Sequence, residues 1–286
     1  MECGQVPEPA EPRTISVVIA AHNEATVLGG CLDGLLADAE PGELDIVVVA
    51  NGCTDATAEV AAARSGVRVV ELAEAGKARA LNAGDAVARG FPRFYLDADV
   101  VLSSGALRRM ADVLTADGSP PLAVTPRRAM VTDGRSLPVR GYYAISTRLP
   151  IFADALFGRG TVGLSAAGRA RFEGFPAEIA DDMFLDSLFS SAEKCEVAGA
   201  TSYVQAPRRT PDLVRTLARV RAGNTMLRAS HAGVRPSARS SWLRDVVLPR
   251  PWLIPAAAIY VTLTLVAASR ARRHPRDDWG RDDSTR

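Results

Sequence analysis

The chain has 286 residues, with 34 lysines and arginines against 33 aspartates and glutamates, and a formal net charge of +1. That length suits one large domain, or one domain with an appendage. The near-zero charge gives no argument for nucleic acid, and no nucleic-acid partner is expected. Four cysteines without Cys-x-x-Cys spacing, and three histidines, argue against a zinc site or a disulfide scaffold and favour a reducing compartment.

The sequence divides into four parts. Residues 1–13 are acidic and proline-rich without an apolar core, so they predict a disordered tail rather than a signal peptide. Residues 14–232 are predicted to form the main domain. Residues 233–270 are predicted as a linker and an apolar helix, and residues 271–286 as a disordered, charged tail.

Strand and helix patterns alternate four times at the start of the main domain. Short apolar runs predict buried strands at 14–21, 44–50, 67–72 and 93–96. Helical spacing or helix-start signals follow each run, at 23–38, 54–66, 76–90 and 104–117. Thr54 or Asp55 is the expected N-cap of the second helix. This alternation predicts parallel strands joined by right-handed crossovers, in a doubly wound, mostly parallel α/β sheet flanked by helices.

The pattern loosens after residue 120. Further strands are predicted at 121–131 and 195–204, and a strand, turn and short helix at 161–175. A helix at 178–191 carries Asp181 and Asp182 in its first turn, and a basic amphipathic helix is predicted at 211–230.

Three polar clusters follow predicted strands: His22 to Glu24, Asn51 to Asp55, and Asp97 to Asp99. Ligands of doubly wound sheets bind beyond the carboxyl ends of the strands. Because this topology brings those ends together, we expect the three clusters to lie along one edge of the sheet. His22 is expected to serve a turn rather than a metal.

Asp97 and Asp99 are one residue apart at a strand end. Two such carboxylates can hold a hard divalent cation, which offsets their mutual repulsion. A solvated strand-end turn is the alternative, since aspartate is common there. The position at the end of the fourth strand favours the cation.

Several other charged residues also have two interpretations. For Asp181 and Asp182, one interpretation is that the helix dipole alone explains their position in a first helical turn. The other is that one of them is a general base with a raised pKa. Lys77 opens a helix, so it either binds a phosphate or is a solvated loop lysine. Arg219 and Arg221 form a solvated face, or one of them neutralises a leaving diphosphate.

Six segments in this order resemble the family 2 glycosyltransferases of the GT-A fold. They are "SVVIAAHNE", "VVVANGCTDAT", "GKARALNAG", "YLDADV", "GRGTVGLSAAGRARFEGFPAEIADD" and "RVRAGN". The likeness covers about residues 14–230, so it implies a GT-A domain over most of the chain. Each segment is short and weak evidence by itself, and the resemblance is specific because all six segments occur in the family's order.

The resemblance implies roles for individual residues. Asp182 is the implied catalytic base, and Asp99 the implied ligand of Mg²⁺ or Mn²⁺. The implied binding residues for the nucleotide-sugar donor are Ala21, Asn23, Glu24, Asn51, Asp55, Lys77, Asn82, Asp97 and Arg221. The implied acceptor-binding residues, for a hydroxyl acceptor that is free or lipid-linked, are Gly160, Val162, Gly163 and Asp181.

The chain departs from the family pattern in two places. Ala50 and Asn51 stand where two aspartates are usual, which argues against UDP as the donor nucleotide. Ala218 and Ala222 replace the glutamine and tryptophan of the Gln-x-x-Arg-Trp motif, which accompanies polymer synthesis in the family. The expected reaction is therefore the inverting, metal-dependent transfer of a single sugar.

Two other functions compete with this expectation. A nucleotidyltransferase-like enzyme would share the sheet, but "AAHNEA" lacks the glycine-rich phosphate loop of that class. A non-catalytic sugar- or lipid-binding relative would not need Asp99 and Asp182, which are both present.

Residues 252–269 form the one long uncharged apolar run, flanked by arginines. Their number is near the lower limit of about 17–25 residues for a membrane span. A single span would export the arginine-rich tail, against the positive-inside tendency. An interfacial, re-entrant or partner-packed helix avoids this, and a buried helix of the domain is the alternative. We expect association with the cytoplasmic face of a membrane.

Overall fold

The structure is a computed structural model that describes residues 14–152, 155–177, 181–230 and 240–273. The predicted tail at 1–13 lies outside the described residues, as do residues 274–286 of the second tail and 233–239 of the predicted linker. The start of the predicted helix at 178–191 lies outside them as well.

The first half of the chain follows the predicted alternation. Its elements are β1 (Ile15–Ala21), α1 (Leu28–Leu36), β2 (Leu44–Asn51), α2 (Thr57–Ala62), β3 (Val67–Leu72), α3 (Lys77–Val87) and β4 (Arg93–Asp97). Helix α2 begins later than expected, after Ala56. Asp55 nevertheless accepts a hydrogen bond from the backbone N–H of Thr57 at 3.1 Å, so it satisfies a free donor at the helix start.

The second half adds antiparallel strands and the remaining helices. They are β5 (Val100–Val101), α4 (Ser104–Leu114), β6 (Ala123–Val131), α5 (Leu137–Ser146), β7 (Thr161–Leu164), α6 (Ala166–Arg169), α7 (Asp181–Ser187), β8 (Lys194–Gln205), α8 (Thr210–Ser230) and α9 (Ile254–Arg273). Short 3₁₀ turns at Pro150–Phe152 and Pro251–Leu253 and a π-helical segment at Trp242–Val247 complete the described elements.

All eight strands form one sheet, in the order β3-β2-β1-β4-β7-β6-β8-β5. Strands β1 to β4 pair in parallel, as predicted, and β6 pairs in parallel with β8. Strands β7 and β5 run antiparallel to their neighbours. The sheet is therefore mixed, with its continuous parallel part in the first half of the chain.

Helices cover both faces of the sheet, and β1 is buried on both. Val17 and Ile19 pack with α1 and α4, whereas Val18 packs on the opposite face with Leu81 of α3. Gly84 allows α3 to come close to β1, because a Cβ atom there would lie 2.5 Å from a methyl group of Val18. This packing fixes the start of α3 beside the carboxyl ends of β1 and β2.

Helix α9 packs one side against α5 and α8 and leaves the other exposed. Ala257, Leu263 and Ala267 are buried, whereas Ile254 and Leu265 are 60% and 62% exposed. By length and composition, residues 251–273 could also cross a membrane. A buried helix of the domain therefore explains one face of α9 and not the other.

Candidate active site

The carboxyl ends of β1, β2 and β4 meet at one edge of the sheet. In the strand register, Ala20 lies opposite Asp97 and Ala21 lies opposite Ala50. The polar segments that follow these strands are therefore neighbours, as the sequence predicts. His22 serves this turn through a 2.7 Å contact between its Nδ1 and the carbonyl oxygen of Asn51.

Asn23 holds the loop after β2 in place. Its side-chain oxygen accepts hydrogen bonds from the backbone N–H groups of Thr54, at 2.7 Å, and Asp55, at 3.2 Å. Its φ of 55° is left-handed, a conformation that asparagine tolerates better than most residues. This buried side chain thus supports the site by positioning the loop.

The side chain of Asn51 is fully buried and is used by the protein itself. Its amide nitrogen donates to the carbonyl oxygen of Ala21 at 2.7 Å, and its amide oxygen accepts from the N–H of Gly76 at 2.9 Å. These bonds join the ends of β1 and β2 to the start of α3. Both the donor and the acceptor of the amide therefore face protein groups.

Lys77, the first residue of α3, lies between two carboxylates. Its Nζ is 2.7 Å from Oδ1 of Asp97 and 3.1 Å from Oδ1 of Asp181. Burial lowers the pKa of Lys77, but the charges of Asp181 and Asp97 outweigh it and hold that pKa above its usual range. The ammonium group therefore joins the end of β4 to the start of α7.

Asp99 lies among negative charges. Burial, together with the neighbouring carboxylates of Asp97 and Glu24, raises its pKa to about 7. A cation beside Asp99 would remove this repulsion, and carboxylate oxygens are ligands that Mg²⁺ and Mn²⁺ favour. In the described part of the chain, no three His, Cys, Asp or Glu side chains are placed to hold a metal together. The donor set at Asp99 thus fits a divalent cation that takes its other ligands from a bound diphosphate or water.

Asp182 is the second residue of α7. One of its carboxylate oxygens accepts from the N–H of Gly158 at 2.7 Å, and the other from the N–H of Met183 at 2.8 Å. Burial raises the pKa of Asp182 to about 6, with a further contribution from the neighbouring carboxylate of Asp181. A carboxylate with such a pKa is suited to taking a proton near neutral pH. We call Glu24, Asp97, Asp99, Asp181 and Asp182 the carboxylate cluster.

Three other expected binding residues have structural roles. Asp55 binds Thr57 and the N–H of Ala25, and Ala21 is buried with its carbonyl oxygen bonded to Asn51. Asn82 holds the backbone of Phe175 through both atoms of its amide, at 2.8 and 3.0 Å.

Two of the residues expected to bind an acceptor are internal. Val162 and Gly163 lie in β7, and the space for a side chain at Gly163 is taken by the ring of Phe94. Gly160 lies closer to the site, since its carbonyl oxygen accepts from the N–H of Asp97 at 2.9 Å. Asp181 faces Lys77, as described above.

The structure does not place Arg221 with the carboxylate cluster. Among the described residues, its charge acts on Tyr142 of α5 and Tyr260 of α9. These two rings stack with centroids 5.2 Å apart where α5 and α9 meet. Arg221 therefore belongs to the helical side of the molecule.

Sequence reasoning missed two arginines beside the carboxylate cluster. Arg128, at the bend of β6, donates to the carbonyl oxygen of Gly158 at 2.7 Å, and the charge of Asp182 acts on it. Arg159 is buried and forms a 2.6 Å ion pair with Glu196. The only signal for Arg128 was the pair "RR" in a predicted strand, which does not show which side chain faces the site.

The fold has counterparts among solved glycosyltransferases of the GT-A class. One is a mannosyltransferase from Pyrobaculum calidifontis in complex with GDP-Man and Mn²⁺, with 18% identity, 94% of this chain and 82% of that chain covered, and a TM-score of 0.58. Another is glucosyl-3-phosphoglycerate synthase from Mycobacterium tuberculosis in complex with Mn²⁺, UDP and glucosyl-3-phosphoglycerate. It has 23% identity, with 79% of this chain and 82% of that chain covered, and a TM-score of 0.53. A third is the S. aureus TarS fragment 1–349 in complex with UDP. It has 15% identity, with 91% of each chain covered, and a TM-score of 0.53.

A family comparison extends this from fold to family. Residues 16–155 match the family described as Glycosyl transferase family 2, so this part of the chain is a domain of that family and the protein is a glycosyltransferase. The match ends before Gly160 and β7, and before α7, which carries Asp182. A comparison with curated protein sequences gives no significant match.

Proposed function

We propose that the protein moves one glycosyl unit from a nucleotide sugar to an acceptor hydroxyl, with inversion at the anomeric carbon. The arrangement of Lys77 between Asp97 and Asp181, with Asp182 beside them, is the observation that carries this proposal. It puts a cation and a proton acceptor at the edge of the sheet where such folds bind nucleotides.

Asp182 is the proposed general base. It takes the proton of the acceptor hydroxyl, whose oxygen then forms a bond to the anomeric carbon of the donor. The bond from that carbon to the diphosphate oxygen breaks on the opposite face, and its electron pair leaves with the nucleoside diphosphate. The N–H groups of Gly158 and Met183 orient the Asp182 carboxylate for this step.

Asp99, with a divalent cation, is proposed to hold the diphosphate of the donor. When bound, Mg²⁺ or Mn²⁺ would neutralise charge on the leaving group. Lys77 adds a fixed positive charge on the same edge, at the N-terminus of α3, where the helix dipole also favours an anion. The P. calidifontis and M. tuberculosis neighbours, whose structures contain Mn²⁺, support the metal requirement.

The donor nucleotide and the transfer of a single sugar are also proposals. The Asn51 side chain is fully buried and both atoms of its amide are bonded to the protein, which favours a nucleotide other than UDP. The replacement of the family's tryptophan by Ala222 supports transfer without polymerisation. The exposed apolar side of α9 supports work at a membrane surface, on its cytoplasmic side where nucleotide sugars are made.

Calorimetric titration with UDP and GDP, each with and without Mn²⁺, tests the proposal. We expect one nucleotide to bind tightly only with Mn²⁺, and Asp99→Asn to lose the metal-dependent part. Asp117→Asn, which changes an exposed aspartate beyond α4, is the matched control and should bind as wild type does. Binding of neither nucleotide would exclude UDP and GDP as the donor nucleotide, and the proposal would be wrong if Asp99→Asn behaved as Asp117→Asn does.

A further inference from the structure

A cavity of about 1050 Å³ lies beside the carboxylate cluster, between β6, α5, the turn at Pro150–Phe152 and α9. Five arginines line it: Arg127, Arg128, Arg140, Arg148 and Arg159. No aspartate or glutamate from the described ranges lines it. We call this space the arginine cavity.

Two of these arginines are fixed by the protein. Arg128 donates to Gly158 and lies over the ring of Phe152, with 4.9 Å between the guanidinium carbon and the ring centroid. Arg159 is 5% exposed and pairs with Glu196, yet its Nε has no hydrogen-bond partner. A buried donor without a partner costs free energy unless a ligand or water accepts from it.

The other three arginines are exposed and add positive charge around the cavity. Within the part of the chain that the structure describes, no carboxylate forms an ion pair with Arg127, Arg140 or Arg148. Arg148 is held by its own helix, through a 2.7 Å bond to the carbonyl oxygen of Ala144. Like charges gathered around one cavity repel each other, and an anion between them removes that repulsion.

The arginine cavity is joined to the proposed base through one residue. The N–H of Gly158 binds Asp182, and the carbonyl oxygen of Gly158 binds Arg128. A molecule whose anionic group sits among the arginines can thus present another part of itself to the Asp182 carboxylate.

We propose that the arginine cavity binds the phosphate group of an acceptor that also carries a free hydroxyl. Arginine suits phosphate because its guanidinium donates two parallel hydrogen bonds to neighbouring oxygens. The inference rests on the proposed function, since it assigns the acceptor of that transfer. The hydroxyl loses its proton to Asp182 and gains the sugar, while the phosphate stays unchanged in the cavity.

The phosphate can belong to a soluble molecule or to a lipid headgroup. Ala256 and Ile259 of α9 form part of the cavity wall, and Gly141 lets α5 approach this helix closely. Leu137, which also lines the cavity, is 74% exposed, and the outer face of α9 is apolar. A headgroup therefore fits as well as a free phosphate ester, and the experiment must separate them.

The test measures binding of two probes to the full chain and its variants. Glycerol 3-phosphate, compared with glycerol, represents the soluble source. Phosphatidylcholine vesicles with 30 mol% phosphatidylglycerol, compared with pure phosphatidylcholine vesicles, represent the lipid source. Arg140→Gln and Arg127→Gln remove cavity charges, whereas Arg89→Gln removes an exposed arginine charge just after α3 and is the matched control.

We expect at least one phosphate probe to bind wild type and Arg89→Gln equally, and each cavity variant about tenfold more weakly. Tighter binding of glycerol 3-phosphate identifies a soluble acceptor. Tighter binding of the phosphatidylglycerol vesicles identifies a lipid acceptor. The proposal is overturned if neither probe binds more tightly than its control without net negative charge, or if Arg89→Gln weakens binding as much as Arg140→Gln. Nucleotide and Mn²⁺ binding, measured on the same samples, shows separately whether the proposed function stands.

Discussion

The arginine cavity differs from the strand edge at β1, β2 and β4 in how its polar side chains are paired. At the strand edge, Asn23 and Asn51 use their amides to join loops, and Lys77 joins two carboxylates. In the cavity, Arg127 and Arg140 are exposed and form no ion pair with a described carboxylate. The edge is thus shaped by contacts within the protein, whereas these cavity arginines keep positive charge that can meet an anion.

Loss of the proposed base should have the largest effect. Asp182→Asn keeps the size of the side chain but cannot take a proton, so we expect turnover to fall about 10³-fold or more. Donor binding should stay within a few-fold of wild type, because Asp182 is not proposed to touch the nucleotide. Steady-state rates and calorimetric titration of this variant measure the two quantities. Unchanged turnover would mean that another group is the base.

Removal of the Asn51 amide should destabilise the strand edge. Asn51→Ala leaves the carbonyl oxygen of Ala21 and the N–H of Gly76 without partners, so we expect a loss of about 3 kcal/mol in the free energy of unfolding. Urea unfolding measures this, with Asp117→Ala at an exposed position as the control. Equal midpoints for the two variants would show that the amide bonds do not hold the edge.

A side chain at Gly160 should disturb the end of β4. A Cβ atom there would lie 2.4 Å from Cγ2 of Val100, and the φ of 68° disfavours alanine, so Gly160→Ala should cost about 2 kcal/mol. Gly105→Ala meets open space in α4 and should be neutral or slightly stabilising. Thermal unfolding of both variants tests this contrast. An unfolding temperature of Gly160→Ala equal to that of wild type would contradict it.

The pH dependence of turnover should show the raised pKa of Asp182. The base must be ionised, and its pKa of about 6 means that it becomes protonated as the pH falls through 6. We therefore expect the rate to fall about tenfold per pH unit below that value. A rate profile at saturating donor and Mn²⁺ measures it, and a flat profile from pH 7 to 5 would contradict the assignment.

Changes in the arginine cavity should leave the fold intact. Arg127→Gln removes an exposed charge that forms no ion pair with the residues the structure describes, so the free energy of unfolding should change by less than about 0.5 kcal/mol. The same urea series that includes Asn51→Ala gives this value. A loss comparable to that of Asn51→Ala would show that the cavity charges support the fold, against the contrast drawn above.

The sequence predicts the parallel half of the fold because its signals are local. The apolar runs before Asp97 and Asn51 and the helical spacing of Leu28 to Leu35 each specify one element, and the crossover rule then places their ends together. Lys77 could be predicted near the site for the same reason. Its two carboxylate partners come from β4 and α7, and no local pattern shows that these pair with one lysine.

The arginine cavity could not be predicted because it depends on distant packing. The arginine cavity forms where α5 meets α9, more than a hundred residues later, and the arginines of "TPRRAMV" show no local periodicity that places them there. Val162 and Gly163, expected at the acceptor, lie in β7, where pairing with β4 buries them in the sheet. Asn82, expected at the donor, holds the backbone of Phe175 through its amide.

The contact of α9 with the cavity has a practical consequence for anyone who shortens the chain. Apolar C-terminal helices are routinely removed to improve expression and handling. Here such a truncation would also take away Ala256 and Ile259, and with them one wall of the space beside the proposed base. A shortened enzyme could bind its nucleotide normally and still fail in every acceptor screen, so a search for the natural acceptor should begin with the intact C-terminus.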